Sequence, residues 1–331
     1  MISILMPVYN TAPFLSECIE SILAQSYKDW ELIAIDDFST DDSRSILESF
    51  RKIDSRIQWY ANDEKGIVPA LEKGFYMSRG EIVHRMDSDD IMPVKKLENL
   101  YSLLREKGPG SVATGKVKYF STEWEVRRGF LDYASWINHQ IDQDAIFEEV
   151  FMECPIASPA WMMYRKDLLS IGGITSGRYP EDYDLVFRMY EHGLKAHGCD
   201  SIVHLWRDWS HRASRTKEEY ADQLFFDLKV HYFLKYKYRP DHRLIVWGAG
   251  RKGKKLYRTL HNMVPHVEWV TQNENKIGHN IYGTILKDPE AALSSDAQVI
   301  VAVSNPGGKS VIRDRLTHAG KVNNVDLFFF C

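Results

Sequence analysis

Three apolar runs early in the chain each finish in a polar turn, and two of those turns are dense in aspartate. Ile2–Met6 leads into Pro7-Val8-Tyr9-Asn10, Trp30–Ile35 into Asp36-Asp37-Phe38-Ser39-Thr40-Asp41, and Glu81–Met86 into Asp87-Ser88-Asp89-Asp90. Singly, each has an ordinary explanation: Asp41 is placed to cap a following helix, and an acidic turn is commonly solvated surface. Jointly they put five or six carboxylates around one crevice, where they repel. Such a cluster is stable when a hard divalent cation shares it and a substrate phosphate completes the oxygen shell. The residue chemistry therefore points to a metal–diphosphate site. A further acidic pair, Glu181-Asp182, opens a helical pattern, where the helix dipole alone would favour it.

The elements around these turns follow from periodicity. Phe14–Gln25 carries apolar residues at helical spacing, as do Asp41–Arg51 and Ile67–Met77, with Ile57–Ala61 as a further strand. Strands separated by helices of this length predict an α/β fold with a mixed, mostly parallel sheet flanked by helices. In such sheets ligands sit outside the carboxyl ends of the strands, which is where the polar turns fall. Phe130–Glu153 reads as an amphipathic helix with Trp136 and His139 toward the cleft, and aromatic Trp136 or Trp161 suits either a sugar ring or the core. A long helical pattern from Lys217 to about Tyr238 ends at Arg239-Pro240, because proline cannot continue a helix. Leu244–Trp247, Val267–Val270, Ala291–Leu293 and Val299–Val303 then read as strands of a smaller α/β unit.

The chain has 331 residues with 42 Lys+Arg against 46 Asp+Glu, enough for about two domains. Residues 1–239 carry a net −8 and residues 240–331 a net +4, a domain signal far too small for nucleic-acid binding. Four scattered cysteines, with no CxxC pair, argue against a disulfide framework or structural zinc. No apolar run reaches a membrane-spanning length, and the opening segment lacks a signal peptide's basic lead and long apolar core. A cytoplasmic protein is expected.

Ser3–Asn10, Leu15–Tyr27 and Trp30–Asp41, followed by Asp87-Ser-Asp-Asp90 with Pro93 and Leu97-Glu98, then Ile171-Gly-Gly173 and Pro180-Glu-Asp-Tyr-Asp-Leu185, resemble the family 2 glycosyltransferases. These are inverting enzymes of the GT-A fold that use nucleotide sugars, and the likeness covers about 200 residues. It implies that Pro7, Val8 and Tyr9 wall the nucleobase, that Asp37 bonds its edge and that Asp87 meets the ribose side. It also implies that Asp89, with Asp90, holds Mn²⁺ or Mg²⁺ on the diphosphate, and that Asp182 is the base on the acceptor hydroxyl. The family's aromatic-Arg-x-His-x-x-Ser run becomes Trp206-Arg-Asp-Trp-Ser-His-Arg-Ala-Ser214 here, with Trp209 at the His position. Arg207, His211 and Arg212 remain diphosphate candidates, because guanidinium forks suit phosphate oxygens.

Leu244–Gly253 carries Gly248, Gly250 and Gly253 in a strand–GxGxxG–helix context. The ribose-binding carboxylate expected after the next strand is replaced by Thr271-Gln272-Asn273. The stretch resembles the Rossmann-like domain that precedes sugar acetyltransferases and binds a nucleotide sugar; a tight turn that only packs is the other reading.

The expected organisation is a glycosyltransferase domain over 1–216, a linking helix over 217–239 and a Rossmann-like domain over 240–331. The aromatic and basic residues of 224–239 suit either packing between the domains or a lipid interface, so peripheral membrane contact stays open. The expected partners are a nucleotide sugar, a UDP-sugar above others, and a saccharide or lipid-linked saccharide acceptor; no oligomeric state follows. A nucleotidyltransferase is the rival enzyme, against which the absence of a glycine-rich basic loop after the first strand counts. A non-catalytic scaffold is the other rival, against which the intact carboxylates count.

Overall fold

The computed structural model describes residues 1–175, 180–210 and 222–331. They form two compact units: residues up to Phe147 and from Pro155 to 210 make the first, while Glu148–Cys154 and the residues from 222 onward make the second.

The first unit is built on a seven-stranded sheet. Its strands are β1 (Ile2–Val8), β2 (Trp30–Asp36), β3 (Ile57–Ala61), β4 (Ile82–Arg85), β5 (Ser111–Phe120), β6 (Met162–Tyr164) and β7 (Lys195–Arg207), in the order β3-β2-β1-β4-β6-β5-β7. The first four run parallel, β6 is antiparallel to both neighbours, and β5 and β7 are parallel. β2 is buried along its whole length and β1 nearly so, which is why they read as unbroken apolar runs: helices cover both faces. Helix α1 (Ala12–Leu23) shows the matching stripe, burying Leu15, Cys18, Ile19 and Ile22. The other helices are α2 (Ser43–Ile53), α3 (Ile67–Met77), α4 (Lys96–Lys107), α5 (Arg128–Asp142), α6 (Arg165–Ser170) and α7 (Glu181–Glu191).

Register sets the site. Val8 pairs with Asp36 and Leu5 with Arg85, so the turns after β1, β2 and β4 emerge on one sheet edge. Hydrogen bonds lash them together: Thr11 Oγ1 to Ser88 Oγ at 3.0 Å, Asn10 N to Ser39 Oγ at 3.1 Å and Ala12 N to Asp41 Oδ2 at 2.9 Å. β7 reaches the same edge, where Leu205 and Ile91 exchange backbone hydrogen bonds of 3.1 Å.

The second unit holds β8 (Arg243–Trp247), β9 (Val267–Val270), β12 (Ala297–Val301) and β13 (Leu327–Phe329) in a parallel sheet ordered β13-β12-β8-β9. With it go α8 (Asp222–Tyr232), α9 (Arg251–His261), α10 (Pro306–His318) and the ribbon β10 (Asn280–Ile281)–β11 (Thr284–Ile285). Phe226 of α8 and Phe233 of the turn after it are buried in this unit, where Phe233 meets Phe328 edge-on at 4.9 Å; Phe151, from the 148–154 segment, stacks on Phe330 at 5.7 Å. Buried Lys229 donates to the carbonyls of Met152 (2.6 Å) and Phe330 (3.2 Å), which joins the 148–154 segment to this core.

Two elements differ from the expectation. The helix read over 130–153 ends at Asp142, where Asp144 takes a left-handed φ of 51° and Ala145 N returns to the Gln140 carbonyl. Ala291–Leu293 is not a strand but part of the 3₁₀ turn Pro289–Leu293, because Asp288 caps it by accepting from Glu290 N. Among the described residues, no helix is long and apolar enough to cross a membrane.

Candidate active site

The Asp87–Asp90 turn leaves β4 with its carboxylates facing different ways. Asp90 is 1% exposed and both its oxygens are taken: His204 Nε2 lies 2.8 Å from Oδ2, and Arg207 N donates to Oδ1 at 2.7 Å. Behind His204 stands Lys96, itself 1% exposed, with Nζ 3.2 Å from His204 Nδ1 and donating to the Pro159 carbonyl at 2.7 Å. Burial pulls the Lys96 ammonium down to about 7 against the opposing pull of Asp90. Asp90 spends its charge inward, on a buried brace, which counts against the expectation that it ligates a metal. Asp89 is half-buried on the crevice side, and its Oδ2 accepts from Trp209 Nε1 at 2.6 Å.

Arg207 belongs to the same brace. Its Nε donates to the Asp89 carbonyl at 2.7 Å, its Nη2 to Glu17 Oε2 at 2.5 Å, and its guanidinium lies over the rings of Phe14 and Phe120. Two of its side-chain donors are thus committed to the aspartate turn and to α1. Of the remaining diphosphate candidates, His211 and Arg212 lie outside the described residues. Trp209, at the family's His position, supplies an indole N–H to Asp89.

Of the residues expected to meet the nucleobase, Pro7 and Val8 end β1, and Tyr9 is 39% exposed beside Lys65. Asp37 is buried, and its Oδ1 accepts from Asn62 Nδ2 and Gly66 N, both at 2.8 Å. Gly66 has φ 143°, a conformation glycine adopts without strain, and its amide turns toward the carboxylate as α3 begins. Asp37 thus shapes the loop after β3 that closes the pocket wall.

Asp182 lies in the first turn of α7 and is half-buried. Burial, reinforced by the charge of Glu181, pushes its carboxyl up to about 7, while Arg85 pulls it down. Arg85, the last residue of β4, donates from Nε to Asp87 Oδ1 at 3.0 Å and from Nη1 to Glu181 Oε1 at 3.2 Å. Trp161, 3% exposed, lines a cavity of ≈20 Å³ beside Asp182 with Val68, Leu71 and Leu185, room for about one water. Trp136 is partly buried, and His139 is exposed along a groove with Ser135 and Asn138.

Asp87, Asp89, Asp37, Tyr9 and the Glu181-Asp182 pair are thus set around one sheet edge. Sequence reasoning missed Arg85, Lys96 and His204, basic residues that, apart from the Arg85–Asp87 contact, meet partners 63 to 114 positions away along the chain.

In the second unit the glycine turn is explained by packing. A Cβ on Gly253 would stand 2.0 Å from the Gly248 carbonyl oxygen, and one on Gly248 (φ 126°) 2.9 Å from the Ala302 carbonyl oxygen. Gly250 alone faces open space.

Residues 3–172 match the family model described as Glycosyl transferase family 2. The glycosyltransferase GlyG of Streptococcus pneumoniae is 28% identical over 226 residues, 66% of this chain and 74% of that protein. The putative teichuronic acid biosynthesis glycosyltransferase TuaG of Bacillus subtilis is 34% identical over 116 residues, 35% of this chain and 46% of that one. Among solved structures, S. aureus TarS 1–349 in complex with UDP-GlcNAc superposes with a TM-score of 0.54 at 17% identity, covering 72% of this chain and 68% of that one. The mannosyltransferase PcManGT from Pyrobaculum calidifontis, in complex with GDP-Man and Mn²⁺, gives 0.51 at 18% identity, covering 71% and 63%. At such identities these structures speak to the fold. A family match over half of the chain, spanning β1 to β6 and the aspartate turns just described, makes this chain a member of the family 2 glycosyltransferases, built on the GT-A scaffold.

Proposed function

We propose that the chain transfers a sugar, with inversion, from a nucleotide sugar to a hydroxyl of a saccharide or lipid-linked saccharide, in the building of a surface polysaccharide. The observation that carries this reading is Asp182: a carboxylate on the crevice edge whose pKa is pushed to about 7, close to the working pH that suits a general base. Asp182 takes the proton of the acceptor hydroxyl as that oxygen attacks the anomeric carbon from the face opposite the leaving diphosphate. One base and one in-line displacement leave the centre inverted. Pro7, Val8 and Tyr9 hold the nucleobase, Asp37 bonds its edge, and Asp87 takes the ribose. TarS bound to UDP-GlcNAc supports a UDP-sugar as the first donor to test.

Among the described residues, no group of three or more His, Cys, Asp or Glu side chains could hold a metal ion alone. Mg²⁺ and Mn²⁺ sites that work with phosphates need less, one or two carboxylates completed by the substrate and water. Asp89 fits that smaller demand, and PcManGT with GDP-Man and Mn²⁺ supports it. A cation there would offset the charge gathering on the departing diphosphate. The test is hydrolysis and transfer over a panel of UDP-, GDP- and dTDP-sugars, with Mn²⁺ or with EDTA. Metal-dependent release of one nucleoside diphosphate is expected; no release from any donor, or full activity in EDTA, refutes the reading.

A further inference from the structure

We propose that Arg85 is a positioning residue that couples the nucleotide-side carboxylate Asp87 to the base Asp182 by way of Glu181. The roles of Asp87 and Asp182 rest on the function proposed above; the linkage itself rests on geometry. Arg85 is the last residue of β4, and its side chain is 6% exposed. Its planar fork reaches Asp87 Oδ1 from Nε (3.0 Å) and, 96 residues along the chain from Arg85, Glu181 Oε1 from Nη1 (3.2 Å). A guanidinium can hold both carboxylates at a set separation, whereas a lysine ammonium is a point charge on a flexible stem. One side chain thus fixes where the nucleotide contact stands relative to the base.

It also governs the charge on that base. Among the described residues, the charged groups besides Arg85 that act on Asp182 are Glu181 and Asp87, and both push it upward. Two other cations of the described residues are committed elsewhere. Arg188, on the same cavity wall, donates to Asp184 at 2.9 Å and to the carbonyls of Ile171 and Gly173 at 2.9 and 2.6 Å. Lys96 is spent on the Pro159 carbonyl and His204. Among the described residues, Arg85 is thus the cation that draws Asp182 toward its ionised form against two other carboxylates.

The signs are opposite for the two partners, which a merely structural role would not produce. Arg85→Gln removes the cation, so Asp182 titrates higher, by about one pH unit for a close charge. Glu181→Gln removes a repelling charge, so Asp182 titrates lower. The experiment uses the full chain with ¹³C-labelled aspartate, Asp182 being assigned by Asp182→Asn, and follows its carboxyl signal against pH with no donor present. In parallel, kcat and KM are measured on whichever sugar nucleotide of the UDP, GDP and dTDP panel is hydrolysed fastest. Arg85→Gln should raise the Asp182 midpoint and raise donor KM several-fold as Asp87 loses its brace. Arg85→Lys should restore the midpoint but not the KM, because it returns the charge without the fork. Equal midpoints in Arg85→Gln and the parent, or shifts of the same sign in Arg85→Gln and Glu181→Gln, overturn the proposal. An inert donor panel would count against the proposed function, while the carboxyl titration still judges the coupling. If Arg85→Gln does not fold, Glu181→Gln should still lower the midpoint and Arg85→Lys should still raise donor KM at a parent-like midpoint; an unmoved midpoint in the first or an unmoved KM in the second overturns the proposal.

Discussion

Asp89 and Asp90 are adjacent in sequence and opposite in orientation, and substituting each by alanine should separate their roles. Asp90→Ala strips two buried donors, Arg207 N and His204 Nε2, of their acceptor. An unsatisfied buried donor costs about 1–3 kcal/mol, so the pair costs roughly 2–6 kcal/mol. For a unit of about 200 residues that lowers the melting temperature by roughly 5–20 °C. Asp90→Asn should recover part of the loss, because the amide oxygen can still accept from Arg207 N. Among the described residues, Asp89→Ala removes the bond from Trp209 at a half-buried position, a cost of about 1 kcal/mol for that bond. It should nevertheless abolish metal-dependent release of nucleoside diphosphate. The assays are thermal unfolding by circular dichroism, and Mn²⁺ titration of donor hydrolysis for each variant. A parent-like melting temperature for Asp90→Ala together with lost Mn²⁺ response would make Asp90 a ligand and refute the assignment.

Hydrolysis by the parent should rise through pH 7, with a limb falling about tenfold per unit well below it, because the base with pKa about 7 acts deprotonated; a flat profile between pH 5 and 8 would exclude Asp182 as that base. Asp182→Asn should lower turnover by roughly 10²–10⁴ while UDP affinity, read by calorimetry, stays near the parent's. Asp37→Ala should weaken UDP binding, because Asn62 and Gly66 lose the acceptor that orders their loop; unchanged affinity would remove Asp37 from the donor pocket. In the second unit, Gly253→Ala should destabilise by roughly 1–3 kcal/mol or more through contact with the Gly248 carbonyl, whereas Gly250→Ala should stay within about 0.5 kcal/mol. Equal thermal unfolding of the two variants would show that the turn is not packed as described.

The parallel strands were legible because burial on both faces writes itself as unbroken runs such as Ile2–Met6 and Trp30–Ile35. The helices α1 and α3 were legible from their spacing, and α3 coincides with the segment read from sequence, Ile67–Met77. The overrun past Asp142 has a physical origin. Ile146, Val150 and Phe151 keep an apolar rhythm and are buried, but Phe151 belongs to the core of the other unit. Periodicity reports that a residue is buried without saying in which core. The Asp288-Pro289 start of the 3₁₀ turn carries the same lesson at short range, since three apolar residues in a row suit a strand or a capped turn equally.

Charge was the harder reading. Lys96 at the start of α4 looks in sequence like the solvated first turn of a surface helix, and nothing local marks it as 1% exposed. Its burial is tolerable only because a carbonyl from Pro159 and a histidine from β7 meet its ammonium, and because Asp90 stands behind that histidine. Those partners come from three separate parts of the chain, so only the fold shows them together. The aspartate turn is then the meeting point of two demands. In the proposed function Asp87 and Asp89 keep their carboxylates at the crevice, and like charges so close would otherwise spread the turn apart. Asp90, turned inward onto His204 and Arg207 N, anchors it from behind, and Arg207 ties the Asp89 backbone to α1 through Glu17. An acidic motif of this kind therefore mixes groups that face the ligand with a group that holds them there, and exposure with hydrogen-bond partners, rather than residue type, tells them apart.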